Sequence, residues 1–145
     1  MAFTGNAFCT SAKVGFLTGT YAPLTDTMKI ALYTNSATLD ATTTAYVATT
    51  GQGAYEVVGT GYTIGGNTLS GNAISFSGTT AWLTFSDSSW TTATITARGA
   101  LIYDSSQSNA AIAVLDFGAD KTSTAGTFTI QMPTAAASTA LIRIA

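Results

Sequence analysis

Histidine is absent from the sequence, so the side chains left to carry proton transfer are seven carboxylates: Asp26, Asp40, Glu56, Asp87, Asp104, Asp116 and Asp120. Two carboxylates hydrolyse a glycosidic bond when they face each other across about 5 to 9 Å of cleft. Asp104 and Asp116 end neighbouring segments of an expected hairpin and could approach, but an Asp at a strand end ordinarily starts a turn. Serine and threonine nucleophiles abound without an activating partner. There is no Gly-x-Ser-x-Gly elbow and no Ser-x-x-Lys pair, and Ser70, which precedes Gly71, falls in a turn. No Cys pair, His or calcium-loop spacing offers a metal site. Gly59, Gly61, Gly65 and Gly66 lack the following Lys-Ser/Thr and the helix of a phosphate loop, and read as hairpin glycines. No catalytic, metal or cofactor residue is expected, and neither is an enzyme or a small-molecule substrate.

The remaining conspicuous side chains suit contact better than catalysis. Tyr46, Trp82 and Trp90 are amphipathic aromatics of the kind that anchor protein interfaces or build carbohydrate platforms. Arg98 lies between Ala97 and Gly99 inside an expected strand, where a buried guanidinium would demand a carboxylate or carbonyl partner and an edge or interface position would not. These four are the candidate protein-interface residues. Cys9 has no cation nearer in sequence than Lys13 and reads as a small core residue. Being the lone cysteine it makes no intrachain disulfide, which is compatible with assembly in a reducing cytoplasm.

The elements that must position these groups are foreshadowed by composition. Threonine (29), alanine (25), glycine (14) and serine (13) fill more than half of the 145 positions, while five basic and seven acidic residues leave a net charge of -2. Threonine favours the pleated, half-buried surface of a strand, and the strong helix formers other than alanine are scarce. No run of Lys or Arg could neutralise a series of phosphates, so nucleic acid is not an expected partner. No apolar run approaches the roughly 20 residues that span a bilayer, and residues 1–20 lack a leader pattern, so a soluble, unprocessed chain with no membrane partner is expected.

Along the chain, Phe8, Ala12 and Phe16 at intervals of four predict a helix within residues 6–18, with Thr4 or Asn6 as N-cap and Gly19 as terminator; residues 1–20 form a helical or arm segment. Met28, Ile30 and Leu32 alternate with Lys29, Ala31 and Tyr33, predicting a strand with one buried face. Residues 35–52, mostly Thr, Ala, Ser and Gly, read as a long surface loop. Strand pieces follow at 55–58 and 62–64, the latter turning through Gly65, Gly66 and Asn67 into a return strand at Thr68 and Leu69. Ile74 and Phe76, then Ala81, Leu83 and Phe85, predict two strands about Gly78. Residues 94–103 carry an internal Gly99 that marks a bulge or close backbone approach, 112–117 read as a central strand, 119–126 as a polar connection, and Phe128, Ile130 and Met132 as another strand. Residues 141–144 close the chain. The sum is an all-β fold, an antiparallel β-sandwich or jelly roll of about eight to ten short strands in a single domain over residues 1–145.

Several stretches together resemble small tailed-bacteriophage virion structural proteins: 28–34 (MKIALYT), 41–45 with Tyr46, 59–66 (GTGYTIGG), 94–104 (TITARGALIYD), 112–118 (IAVLDFG) and 126–133 (GTFTIQMP). The resemblance covers most of the chain from Met28 onward and consists of strand and turn phrases. It implies the capsid decoration, or cement, class: a β domain on the outer surface of the head, bound to the major capsid protein and to copies of itself, adding buried contact across the joints of the shell. A tail, baseplate or fibre-associated domain is the alternative within virion structure. A carbohydrate-binding module using Trp82, Trp90 and exposed tyrosines is a third reading.

Overall fold

The chain organises itself around the strand that begins at Met28. In the computed structural model, which describes residues 3–47 and 55–145, the elements run β1 (Ala7–Phe8), α1 (Thr10–Leu17), β2 (Met28–Tyr33), β3 (Asn67–Thr68), β4 (Ala73–Ser77), β5 (Thr80–Thr84), β6 (Ser88–Asp104), β7 (Ala110–Ile130) and β8 (Ile142–Ile144). They form two antiparallel sheets, ordered β1-β7-β6-β2-β3 and β4-β5-β8. One buried apolar cluster draws on both sheets, with Ile30, Leu101, Ile112 and Val114 from the larger and Leu83 and Ile142 from the smaller. The fold is an all-β sandwich.

Strand β2 departs from the expected single buried face. Met28, Ile30, Ala31, Leu32 and Tyr33 are all buried and only Lys29 is half-exposed, because segments without regular structure cover the second face. Ala37 and Leu39 are fully buried and Tyr46 nearly so, which corrects the reading of residues 35–47 as a surface excursion. Asp40 folds this segment into a turn by accepting the Thr42 N–H and hydroxyl at 2.7 and 2.6 Å. Residues 48–52 of the expected loop lie outside the described residues. The strand pieces expected at 55–58 and 62–64 are not strands: Glu56 makes a single bridge to Tyr33, and from this part of the chain the short β3 alone pairs with β2, whose other neighbour is β6.

The expected short strands on either side of a polar connection are one strand, β7, of 21 residues, paired with β6 of 17. The polar stretch stays in the ladder because its hydroxyls bond across it, Thr122 with Thr96 at 2.9 Å and Ser123 donating to the Ala93 carbonyl at 2.8 Å. The register slips where Gly99 was expected to mark a bulge: Gly99 pairs with Asp116 but Ala97 pairs with Lys121. A Cβ at Gly99 would lie 2.3 Å from the Phe3 ring and 2.5 Å from the Leu115 carbonyl oxygen, so the close approach is real.

Helix α1 starts later than the spacing suggests. Ala7 and Phe8 pair with Val114 and Ala113, so the N-cap is Cys9, which makes no side-chain cap bond, and Asn6 accepts the Asp116 N–H instead. The end falls as expected. Gly19 takes φ +73, its N–H donates to the Phe16 carbonyl, and the Thr20 N–H donates to the Gly15 carbonyl, the paired bonds of a glycine-terminated helix.

Candidate functional site

Three polar constellations and one apolar surface stand out. The first centres on Glu56, which is 3% exposed among tyrosines. Its Oε2 accepts the Tyr46 hydroxyl at 2.8 Å, and its Oε1 accepts the Tyr62 hydroxyl at 2.6 Å and the Gly65 N–H at 2.7 Å. Tyr103 stacks on Tyr46 at 4.4 Å between ring centroids and donates its hydroxyl to the Gly65 carbonyl at 2.7 Å. Tyr62 in turn accepts the Leu32 N–H at 2.9 Å, tying the cluster to β2. Three donors satisfy the carboxylate, as a buried charge requires. Burial first, and the neighbouring Glu56 charge second, push the Tyr103 hydroxyl up to about 12 and the Tyr33 hydroxyl higher still. For Tyr46 and Tyr62 burial and the hydrogen bond to Glu56 act in the same upward direction. The geometry locks a turn onto β2 and leaves the carboxylate no free face for a substrate.

The second constellation joins the turn before β2 to the turn after β6. Asp104 is fully buried, and its Oδ1 accepts the Ser106 N–H at 2.9 Å. Its Oδ2 is buried with no hydrogen-bond partner among the described residues. Burial first, and the neighbouring Asp26 carboxyl second, push the Asp104 carboxyl up to about 6. The third is Arg98 and Asp116, 3.1 Å apart across the bulge between β6 and β7. Burial opposes ionisation of Asp116, but the Gly118 N–H and the Arg98 guanidinium outweigh it and hold the carboxyl below the usual range. Asp104 and Asp116 are therefore not a facing pair: Asp104 pairs with Ala110 and Asp116 with Gly99, at separate points of the ladder, and each carboxylate organises its own turn. Among the described residues no cluster of three or more His, Cys, Asp or Glu could hold a metal ion, and no helix is long and apolar enough to cross a membrane.

Of the four candidate interface residues, two belong to the core. Tyr46 is spent on Glu56 and Tyr103, and Trp90 is 4% exposed, packed edge-on against Phe128 and tilted against Tyr62. An aromatic in a small β fold is recruited by burial before any partner can use it. Arg98 is half-buried by its ion pair. Trp82 is half-exposed on the β4–β5 hairpin, opposite Ser75. Cys9 is fully buried, and burial pushes its thiol up to about 11, so it is not a reactive site.

The surface that residue-by-residue reading missed is apolar. On α1, Val14 and Leu17 point outward at 57% and 86% exposure, and Leu24 in the following turn is 57% exposed. The buried side of the helix is made of Ala12 and Gly15, the latter seated against the Tyr21 ring. A surface helix ordinarily turns polar residues outward. On the hairpin, Ile74 and Phe76 of β4 are 51% and 75% exposed, and Ile144 of β8 is 55% exposed. The signal was in the sequence, since Val14 and Leu17 fall three apart on the side of the helix away from Ala12. Comparison with family models, with curated proteins and with solved structures finds no match to this chain.

Proposed function

We propose that this chain is a structural protein of a tailed-phage particle, a capsid decoration protein that binds the major capsid protein through the outward face of α1 and strengthens the head from its outer surface. The observation that carries this reading is the pair Val14 and Leu17 turned outward from α1, with Leu24 exposed in the following turn, because apolar side chains bared on a surface helix mark a docking face. Burying one such side chain contributes about 1.5 to 3 kcal/mol. That is modest for one site, but many copies around a closed shell multiply it. The rest of the surface suits the role, since Thr, Ser and Ala lose little side-chain entropy on docking and few ions need desolvating. The phage-like strand phrases point the same way. The carbohydrate reading loses Trp90 to the core.

Heads assembled without this chain, titrated with the purified protein, test the proposal. Saturable binding, a raised temperature of head disruption, and a loss of at least tenfold in affinity for the V14S/L17S double variant are expected. Heads that bind none of the protein would overturn the reading. Labelling confined to the tail would transfer it to a tail, baseplate or fibre-associated role.

A further inference from the structure

We propose that β4 is a dimerisation strand: it pairs antiparallel with β4 of a second copy about a twofold axis at Ser75, joining two three-stranded sheets into one of six strands.

Among the described residues, strand β4 is an edge, hydrogen-bonded to β5 on one side alone, and all five of its residues are exposed. Proteins guard such edges with shortness, charge, proline or bulges. The other edges differ: β1 and β3 are two residues long, β8 is three, the outer part of β7 begins with Asp116, Asp120 and Lys121 beside a register slip, and the outer part of β6 is broken by register slips, bridged by Thr60 at Thr94 and capped by the Asn67 side chain on the Ser89 carbonyl. By contrast β4 reads Ala-Ile-Ser-Phe-Ser, is regular throughout its pairing with β5, and belongs to a hairpin, residues 73–84, with no charged residue. Two such hairpins meet without like-charge repulsion, a condition that a partner of strong charge would not need.

The hairpin also fixes the register. Its loop is Gly78 and Thr79, with Gly78 at φ +57, so Ser77 and Thr80 close it as a doubly hydrogen-bonded pair. Alternation then spends the peptide groups of Ser77, Ser75 and Ala73 on β5 and turns those of Ile74 and Phe76 outward. An antiparallel copy uses both outward residues in each chain only when Ile74 faces Phe76 of the second copy, which centres Ser75 on Ser75 and makes four backbone hydrogen bonds. The side chains agree with the backbone. Ile74, Phe76, Ala81, Leu83, Ile142 and Ile144 share one face by register, and its buried members, Leu83 and Ile142, lie toward the body while Phe76 is 75% exposed near the turn. Twofold pairing places Ile74 against the second copy's Phe76 twice and covers the part of the face that the body leaves bare. This inference stands on the edge alone and does not depend on what the α1 face binds.

Sedimentation velocity over a micromolar series, with mild oxidation of cysteine variants, tests it. A dimer is expected, together with at least a tenfold weakening by Phe76→Lys, whose side chain is exposed enough for the monomer to keep its melting temperature. Ser75→Cys is expected to form a disulfide-linked dimer, because the central pair is of the non-hydrogen-bonded kind, with Cα atoms about 4.5 Å apart. Ser77→Cys, facing Ala73 of the second copy, is not. The native Cys9 is buried and does not compete. A wild-type monomer at tens of micromolar, a Phe76→Lys dimer of unchanged affinity, or equal cross-linking of Ser75→Cys and Ser77→Cys would each overturn the proposal.

Discussion

Glu56 is the residue on which the interior depends most. Replacing it by Ala would strand the Tyr46 and Tyr62 hydroxyls and the Gly65 N–H, each of which loses its acceptor inside the protein. At about 1 to 3 kcal/mol for each orphaned group, the expected loss is 3 kcal/mol or more, read as a shift in the urea midpoint. A Glu56→Ala variant within 1 kcal/mol of wild type would show that the cluster is dispensable. The tyrosines give an independent readout. Tyr33, Tyr46, Tyr62 and Tyr103 are all pushed up, four of the six in the chain, so the folded protein should resist their ionisation until it unfolds in alkali. Absorbance at the phenolate band, recorded with and without denaturant, measures this, and four midpoints near the ordinary value of about 10 in the folded state would contradict it. Asp104 sets the acidic side. Its folded value, about 6, lies above its ordinary 3.8, so the stability gained from its protonated form is full below the lower value and is lost as pH rises through the upper one. Stability should therefore fall between about pH 3.8 and 7 by at most about 3 kcal/mol, at about 1.36 kcal/mol per pKa unit. In Asp104→Asn, which keeps the shape of the neutral form, that slope should vanish; the same slope in both proteins would assign it elsewhere.

At the level of elements, the glycines that hold turns against strands are the points of least tolerance. Gly66 has φ +69, and a Cβ there would fall 1.8 Å from the Ile30 carbonyl oxygen, inside β2. Gly66→Ala is expected to cost more than 3 kcal/mol, while Gly78→Ala, with open space around the Cβ and strain only from φ +57, should cost about 1 kcal/mol. Equal melting temperatures for the two variants would refute this ranking. Elements with a strong local signal were legible in the sequence: β2 from its alternation, the β4–β5 hairpin from Gly78, the end of α1 from Gly19, the bulge from Gly99. The helix start was not, because β1 claims Ala7 and Phe8 through pairing with a strand more than 100 residues away. The polar half of β7 was hidden because its hydroxyls are satisfied across the ladder, and hydropathy has no term for that. Glu56 was hidden for a similar reason: its three donors lie within ten residues, but only the return of the chain over β2 gathers them into the interior. Tyr46 and Trp90 looked like anchors for a partner because side-chain chemistry is the same in a core and at an interface.

For the whole molecule, the exposed apolar residues of the helix and of the smaller sheet border one another, since Leu17 and Ile144 line one surface cavity. Charge is scarce, much of it is used internally, and the apolar surface left bare falls on α1 with its following turn and on the edge hairpin. Under the proposed function the first faces the shell and the second faces a neighbouring copy, so one small domain would tie capsid subunits both to itself and, through its dimer, to one another. Cryo-electron microscopy of the particle whose genome encodes this chain, with the protein present at its natural copy number, tests that claim most directly. The expected map has sandwich-shaped density over the outer capsid faces with α1 turned toward the shell. Capsid faces bare of such density would contradict the account.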